Sequence, residues 1–151
     1  METIRQILDH KGKVIHYVSP ETTVYDALLL MADKNIGAVL VLNEGKLFGI
    51  MSERDYARKI ALKGKFSKEV PVKEIMSNEV FVINIDQSIE DAKAIMINKR
   101  IRHLPVMANE KLEGIISIGD VVNAVMAKND MMIDQLITYI KGCPETQVEK
   151  K

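Results

Sequence analysis

Tryptophan is absent from the 151 residues, and cysteine occurs once, at Cys143. One thiol cannot close an intramolecular disulfide, so the chain carries no disulfide framework and a reducing, cytoplasmic setting is the expectation. No sign of charge dominates: 21 Lys+Arg balance 21 Asp+Glu, for a net charge of zero. Dedicated nucleic-acid and acidic-membrane binders carry a basic excess, so neither partner is expected, although a local basic pocket stays open. Long apolar runs are missing too. The longest covers residues 36–42, against the roughly 18 residues of a membrane span. The opening residues, METIRQILDHKGK, lack the apolar stretch of a signal peptide. Neither Gly-x-x-x-x-Gly-Lys nor Gly-x-Gly-x-x-Gly occurs. His10, His16 and His103 are scattered without the paired spacing of metal ligands. A catalytic centre and a resident metal are therefore not expected, and Cys143, beside Pro144, reads as a passive thiol.

What the sequence does contain is a duplication. Shifted by 65 residues, the distance from Asp26 to Asp91, residues 22–60 fall on residues 87–125 without a gap. Identical pairs include Ala27/Ala92, Met31/Met96, Lys34/Lys99, Ile36/Ile101, Val41/Val106, Gly49/Gly114, Ile50/Ile115, Ser52/Ser117 and Asp55/Asp120. The segments before them also match, IRQIL from Ile4 with VKEIM from Val72, but at a shift of 68 residues. The first copy thus holds three extra residues near His10–Gly12.

Each copy predicts the order strand, helix, strand, strand, helix. Residues 14–18 and 80–85 are β-branched runs. Thr23 and Ser88 stand as N-caps before amphipathic patterns, Val24, Ala27, Leu28, Met31 and Ile89, Ala92, Ile95, Met96. Residues 38–42 and 47–51 form a hairpin around Asn43-Glu44-Gly45, repeated at 103–107 and 112–116, and each hairpin feeds a helix from Ser52 or Ser117. A three-stranded sheet of this size leaves one apolar face bare, and two copies face to face would cover both. The expected architecture is α+β: two β-α-β-β-α repeats related by a pseudo-two-fold axis. The first occupies residues 1–64 and the second 72–130, with a polar linker at 65–71 and a helical extension and tail at 131–151. Gly142 and Pro144 should end that extension, leaving a frayed tail. Most of the nine methionines fall at helical apolar positions, as core filler. Lys63, Lys65 and Lys68 read as a solvated loop.

With these features the sequence resembles a tandem pair of CBS domains, the cystathionine-beta-synthase-type repeats. The resemblance spans roughly residues 4–128. It rests on the gapless duplication, on Gly-apolar-apolar-Ser-x-x-Asp in both copies, and on Ile101-Arg102-His103-Leu104-Pro105-Val106 in the second. It implies a sensor rather than a catalyst, binding adenosine-containing ligands such as AMP, ATP, NAD or S-adenosylmethionine in clefts between the repeats. It also implies pairing of two such modules into a flat homodimer. The stripe Val121, Val122, Val125 and Met126 is wide enough for that interface or for the internal core.

The residues permit this chemistry on their own account. Ser52 and Asp55, like Ser117 and Asp120, sit at the N-cap and third position of a helix that follows a strand. An ionised Asp offers two acceptor oxygens, matching the adjacent hydroxyls of a ribose. The serine hydroxyl and free backbone N–H groups of the helix start suit the sugar or first phosphate. Gly49 permits close approach of a ligand or of another backbone. The same Ser-x-x-Asp spacing is equally a capping box that needs no ligand. By the resemblance, Arg102 and His103 sit near nucleotide phosphates; the first copy has Gly37-Ala38 there, and Arg54 stands as the compensating cation. Phosphate-binding charge is then pooled from both repeats, and the two clefts are unequal. Ile36, Ala38, Ile50 and Val18 are assigned to one adenine slot, and Ile101, Ile115, Val80 and Ile83 to the other, positions that would look alike as plain core. Two functions remain: an adenine-nucleotide sensor acting on an unknown protein target, or a homodimeric scaffold with vestigial clefts.

Overall fold

The computed structural model describes residues 2–141, so the expectations for Gly142, Cys143, Pro144 and the tail lie outside the described residues. The elements are α1 (Ile4–Lys11), β1 (Tyr17–Val18), α2 (Val24–Lys34), β2 (Ala38–Asn43), β3 (Lys46–Ser52), α3 (Glu53–Tyr56), β4 (Ile83–Asn84), α4 (Ile89–Lys99), β5 (His103–Ala108), β6 (Lys111–Ser117) and α5 (Ile118–Lys141). A π-helical turn, Ala57–Ala61, prolongs α3, and a 3-10 turn, Val72–Glu74, precedes β4.

The fold is α+β, with two three-stranded sheets ordered β1-β2-β3 and β4-β5-β6. In each, the first pair is parallel and the second antiparallel, and the registers coincide: Val18 pairs with Val41 as Ile83 pairs with Val106. The duplication extends to backbone detail. Asn35 and Arg100 end α2 and α4 in the left-handed conformation, at φ 55° and 54°. Both hairpins turn on two left-handed residues, Glu44-Gly45 and Asn109-Glu110, the geometry that matches strand twist. The helices start as their caps require. Thr23 Oγ1 accepts from Asp26 N and Ser88 Oγ from Asp91 N, each at 3.1 Å.

The two cores do not follow the linear division of the chain. Val39, Val41 and Met51 point into the first core with Val24, Ala27 and Met31, but that core also takes Val70, Val72, Ile75 and Met76 from beyond the first hairpin. The second core holds Leu104, Val106, Ile116 and the α4 face, and is completed by Ile4, Ile7 and Leu8 of α1. Each leading segment therefore covers the other repeat's territory. Backbone bonds fasten the exchange: Arg5 N donates to Ile85 O at 2.9 Å, and Val24 N to Val70 O at 2.8 Å. The glycine that recurs in each hairpin has its explanation here. A Cβ at Gly49 would lie 3.0 Å from the Ser77 carbonyl oxygen and closer still to the Met76 sulfur, and one at Gly114 would lie 3.0 Å from Leu8 Cδ2. Gly49 admits another stretch of the same chain, not a ligand.

Three expectations need correction. The strands at 14–18 and 80–85 shrink to two residues each, because Val14, His16, Val80 and Phe81 leave the sheet edge to form cleft walls. The linker at 65–71 is not polar throughout: Val70 is buried in the first core, while Lys63, Lys65 and Lys68 are exposed as expected, with Lys68 Nζ over the Tyr25 ring, 4.7 Å from its centroid. In the proposed helical stripe, Val121 belongs to the second core and Val125 packs against it, leaving Val122 and Met126 exposed. Exposed apolar side chains continue along α5 through Met131, Met132, Ile133, Leu136, Ile137 and Ile140. Met31, Met51, Met76 and Met96 fill cores as expected, whereas Met126, Met131 and Met132 do not. Among the described residues no helix is long and apolar enough to cross a membrane.

Candidate functional site

Strand alternation turns Ala38, Leu40 and Ile50 away from the first core, and His103, Pro105 and Ile115 away from the second. These second faces meet, and their rims leave two clefts. The larger, about 720 Å³, lies where the end of β3 abuts the α4–β5 corner of the other repeat. Ile50, Val80, Phe81 and Ile101 give it apolar walls; Ser52 and Asp55 stand at one end, with Arg54, Arg58, Lys59, Arg100, Arg102 and His103 around the rim. The smaller, about 430 Å³, is lined by Ile36, Gly37, Ala38, Ile115, Ser117 and Ile118, with Lys11, His16 and His103. Gly37 and His103 border both clefts.

The adenine-slot assignment is thereby re-sorted. Ile50 shares the larger cleft with Val80 and Ile101, and Ile115 shares the smaller with Ile36 and Ala38, because the pseudo-two-fold sets the end of each hairpin beside the start of the other. Val18 and Ile83 line neither cleft; they are equivalent strand positions buried in the two cores. Arg54 and Arg102, from different repeats, do come together at the larger cleft, and Arg54 Nη1 reaches the Arg100 carbonyl at 3.3 Å.

Arg58, Lys59, Arg100 and Phe81 were not singled out from the sequence. A helical spacing of four from Arg54 was the available signal for Arg58. For Arg100 there was none, since its place follows from the left-handed end of α4.

Both acids are held close to their helix starts and away from bulk solvent, with side chains 15% exposed at Asp55 and 21% at Asp120. Asp55 Oδ2 accepts from Ser52 N at 2.9 Å and from Ser52 Oγ at 3.1 Å, while Asp55 N donates back to Ser52 Oγ at 3.2 Å. Asp120 repeats the capping box, accepting from Ser117 N at 2.8 Å. Capping is therefore real in this state, and each carboxylate retains a second oxygen for another donor. At Asp55 that oxygen has Lys59 Nζ at 3.3 Å, and the same ammonium donates to the Ile75 carbonyl at 2.8 Å. At Asp120, Lys11 Nζ shares Oδ2 with Ser117 N, lying 2.6 Å from it, and also donates to the Ile115 carbonyl at 2.8 Å. Burial pushes the Asp120 carboxyl up, but the hydrogen bonds from Lys11 and Ser117 outweigh it and hold the group below the usual carboxylate range. Burial pushes the His103 imidazole down, and the Lys11 and Arg102 charges lower it further. It is thus mainly neutral at pH 7, and the arginines carry the fixed positive charge of the larger cleft.

Residues 4–62 and 72–127 each match the CBS domain family. The mitochondrial CBS domain-containing protein CBSX3 of Arabidopsis thaliana is 36% identical over 149 residues, covering 93% of this chain and 72% of its own. The structure of a protein with CBS domains from Burkholderia ambifaria superposes with a TM-score of 0.81 at 45% identity, over 83% of this chain and 95% of that one. A hexameric CBS-CP12 protein from bloom-forming cyanobacteria superposes with a TM-score of 0.72 at 29% identity, over 81% of this chain and 70% of that one. CBS domain pairs are generally regulatory modules. Matched in both halves and folded as two interlocked copies, this chain belongs to the CBS domain family.

Proposed function

We propose that this protein is a non-catalytic regulatory module that takes an adenosine-containing ligand, AMP, ATP, NAD or a close relative, in the larger cleft. One observation carries the reading: an acid and hydroxyl from one repeat, Asp55 and Ser52, share a 720 Å³ cleft with apolar walls and with arginines from both repeats. The apolar walls suit a purine, the carboxylate suits vicinal hydroxyls, and the guanidinium forks suit phosphate. A ligand gripping both repeats at once favours one relative placement of them, and that differential affinity is the means by which occupancy passes to a protein target as an energy or redox signal. The capping boxes, complete without any ligand, favour the second reading, a scaffold with vestigial clefts.

Thermal unfolding with AMP, ADP, ATP, NAD, NADH and S-adenosylmethionine separates the two. At one hundred times its dissociation constant a ligand stabilises by about 2.7 kcal/mol. Asp55→Asn, which keeps an acceptor for the cap, should weaken the responding ligand by at least tenfold, since a charge-assisted bond contributes roughly 1.5–3 kcal/mol. Unliganded stability should change by under about 1 kcal/mol, the usual scale of a cap. No shift with any adenosine compound would leave the scaffold standing.

The module also pairs with a second copy through α5. Beyond residue 125 every described side chain of this helix is exposed, eight of them large and apolar, whereas helices in proteins draw most of their stability from a packed apolar face. The hexameric cyanobacterial CBS-CP12 protein, of the same fold, supports self-association. Ile133→Asp with Leu136→Asp should reduce the mass measured by light scattering to that of one chain while leaving both sheets folded; an unchanged mass would move the interface elsewhere.

A further inference from the structure

The two halves close the same backbone position by different means. In the first, the Ile50 carbonyl accepts from the Ser77 backbone N–H at 2.9 Å. In the second, the equivalent Ile115 carbonyl accepts from the Lys11 ammonium at 2.8 Å, and the same nitrogen reaches Asp120 Oδ2 at 2.6 Å. The difference traces to the three extra residues near His10–Gly12. They carry α1 one turn further, end it at Gly12 with φ 102°, and deliver a lysine where the other half has a peptide. The ammonium thus spans from the β6 strand to the acid at the start of α5, in direct contact with Asp120 Oδ2 at 2.6 Å, whereas at Asp55 the Lys59 ammonium stands off at 3.3 Å and is tied to the Ile75 carbonyl instead. The remaining linings also differ: Arg54, Arg58, Arg100 and Arg102 border the larger cleft, and no arginine borders the smaller.

We infer that Lys11 is the resident occupant of the second cleft, an internal cation that reserves Asp120 and limits the protein to one adenosine ligand per chain. The inference rests on the reading of the larger cleft as the ligand site. Removing the lysine charge frees Asp120 and unmasks a second site; the lysine side chain is 36% exposed, within reach of a charge-removing modification such as acetylation. A ligand strong enough to displace Lys11 would at the same stroke release the end of α1 from β6.

Calorimetric titration with AMP and with ATP tests this. The wild-type chain should bind one equivalent of the better ligand, Lys11→Met two, with the second at least tenfold tighter than any residual second event in the wild type. Lys11→Arg, which keeps the cation, should return to one. Two equivalents in the wild type, or one in Lys11→Met with wild-type affinity, overturns the inference and leaves the adenosine reading intact. Silence toward both ligands in every variant, together with no thermal shift from NAD, NADH or S-adenosylmethionine, overturns both. Should Lys11→Met fail to fold, the wild type still decides. The first equivalent should move the amide resonances of Ser52 and Arg58 and leave those of Ser117 and Gly119 in place, and movement of both sets in parallel overturns the inference.

Discussion

Leu8→Ala is expected to destabilise the whole protein by about 2–5 kcal/mol, the range for emptying a fully buried leucine site. Leu8 is 0% exposed, and it lies in the second core although it belongs to the first ten residues of the chain. Its side chain rests on Gly114, where a Cβ would stand only 3.0 Å away, so the sheet beneath has no side chain with which to fill the void. That places the cost in the upper part of the range. Denaturant unfolding followed by far-ultraviolet circular dichroism reads it as a lower midpoint at unchanged slope. Two corollaries sharpen the test. Because α1 and residues 70–76 are exchanged between the cores, the variant should still unfold in a single transition, without an early loss of the second half alone. Gly114→Ala, a clash in the wild type, should be less harmful in the Leu8→Ala background, a coupling that a double-mutant cycle resolves. A loss of less than about 1 kcal/mol would mean that α1 only lies on the surface of the second repeat.

Much of this architecture was legible because the chain states it twice. The shift that aligns Asp26 with Asp91 also aligns the paired residues Val18/Val41 with Ile83/Val106, so sequence identity and backbone register agree. The caps at Thr23 and Ser88 and the hairpin turns are local chemistry, readable residue by residue. The exchange of leading segments was not readable. IRQIL and VKEIM match each other, and a matching pair fits its own half as well as the opposite one; only Leu8 on Gly114 and Met76 on Gly49 decide. The same blindness mis-sorted the clefts. Alternation says that Ile50 and Ile115 face away from their own cores, but the partner each meets is set by the angle between two sheets, which leaves no trace in either strand. His103 shows a further limit: its identity says that it can titrate near neutrality, and its neighbourhood of buried apolar groups with Lys11 and Arg102 pushes it the other way.

Charge removal at the larger cleft should have the greatest effect on binding. Arg54→Gln and Arg102→Gln are each expected to weaken ATP by roughly 10- to 150-fold, the factor that corresponds to losing a charge-assisted hydrogen bond of about 1.5–3 kcal/mol. Adenosine, which has no phosphate, should bind the wild type and both variants alike. The two arginines come from different repeats and border one cleft with Arg58 and Arg100. Where both touch the same phosphate chain their losses are not independent, so the double variant should lose less than the product of the single factors. Raising ionic strength should reproduce part of the effect in the wild type and little of it in the double variant, because these side chains are exposed and screened by salt. His103 cannot take over at pH 7, since burial keeps its imidazole uncharged. If ATP and adenosine weakened by equal factors, the arginines would be shaping the cleft rather than reading phosphate. The recognised feature of the ligand would then be its nucleoside alone, held by Asp55 and the walls of Ile50, Val80 and Ile101.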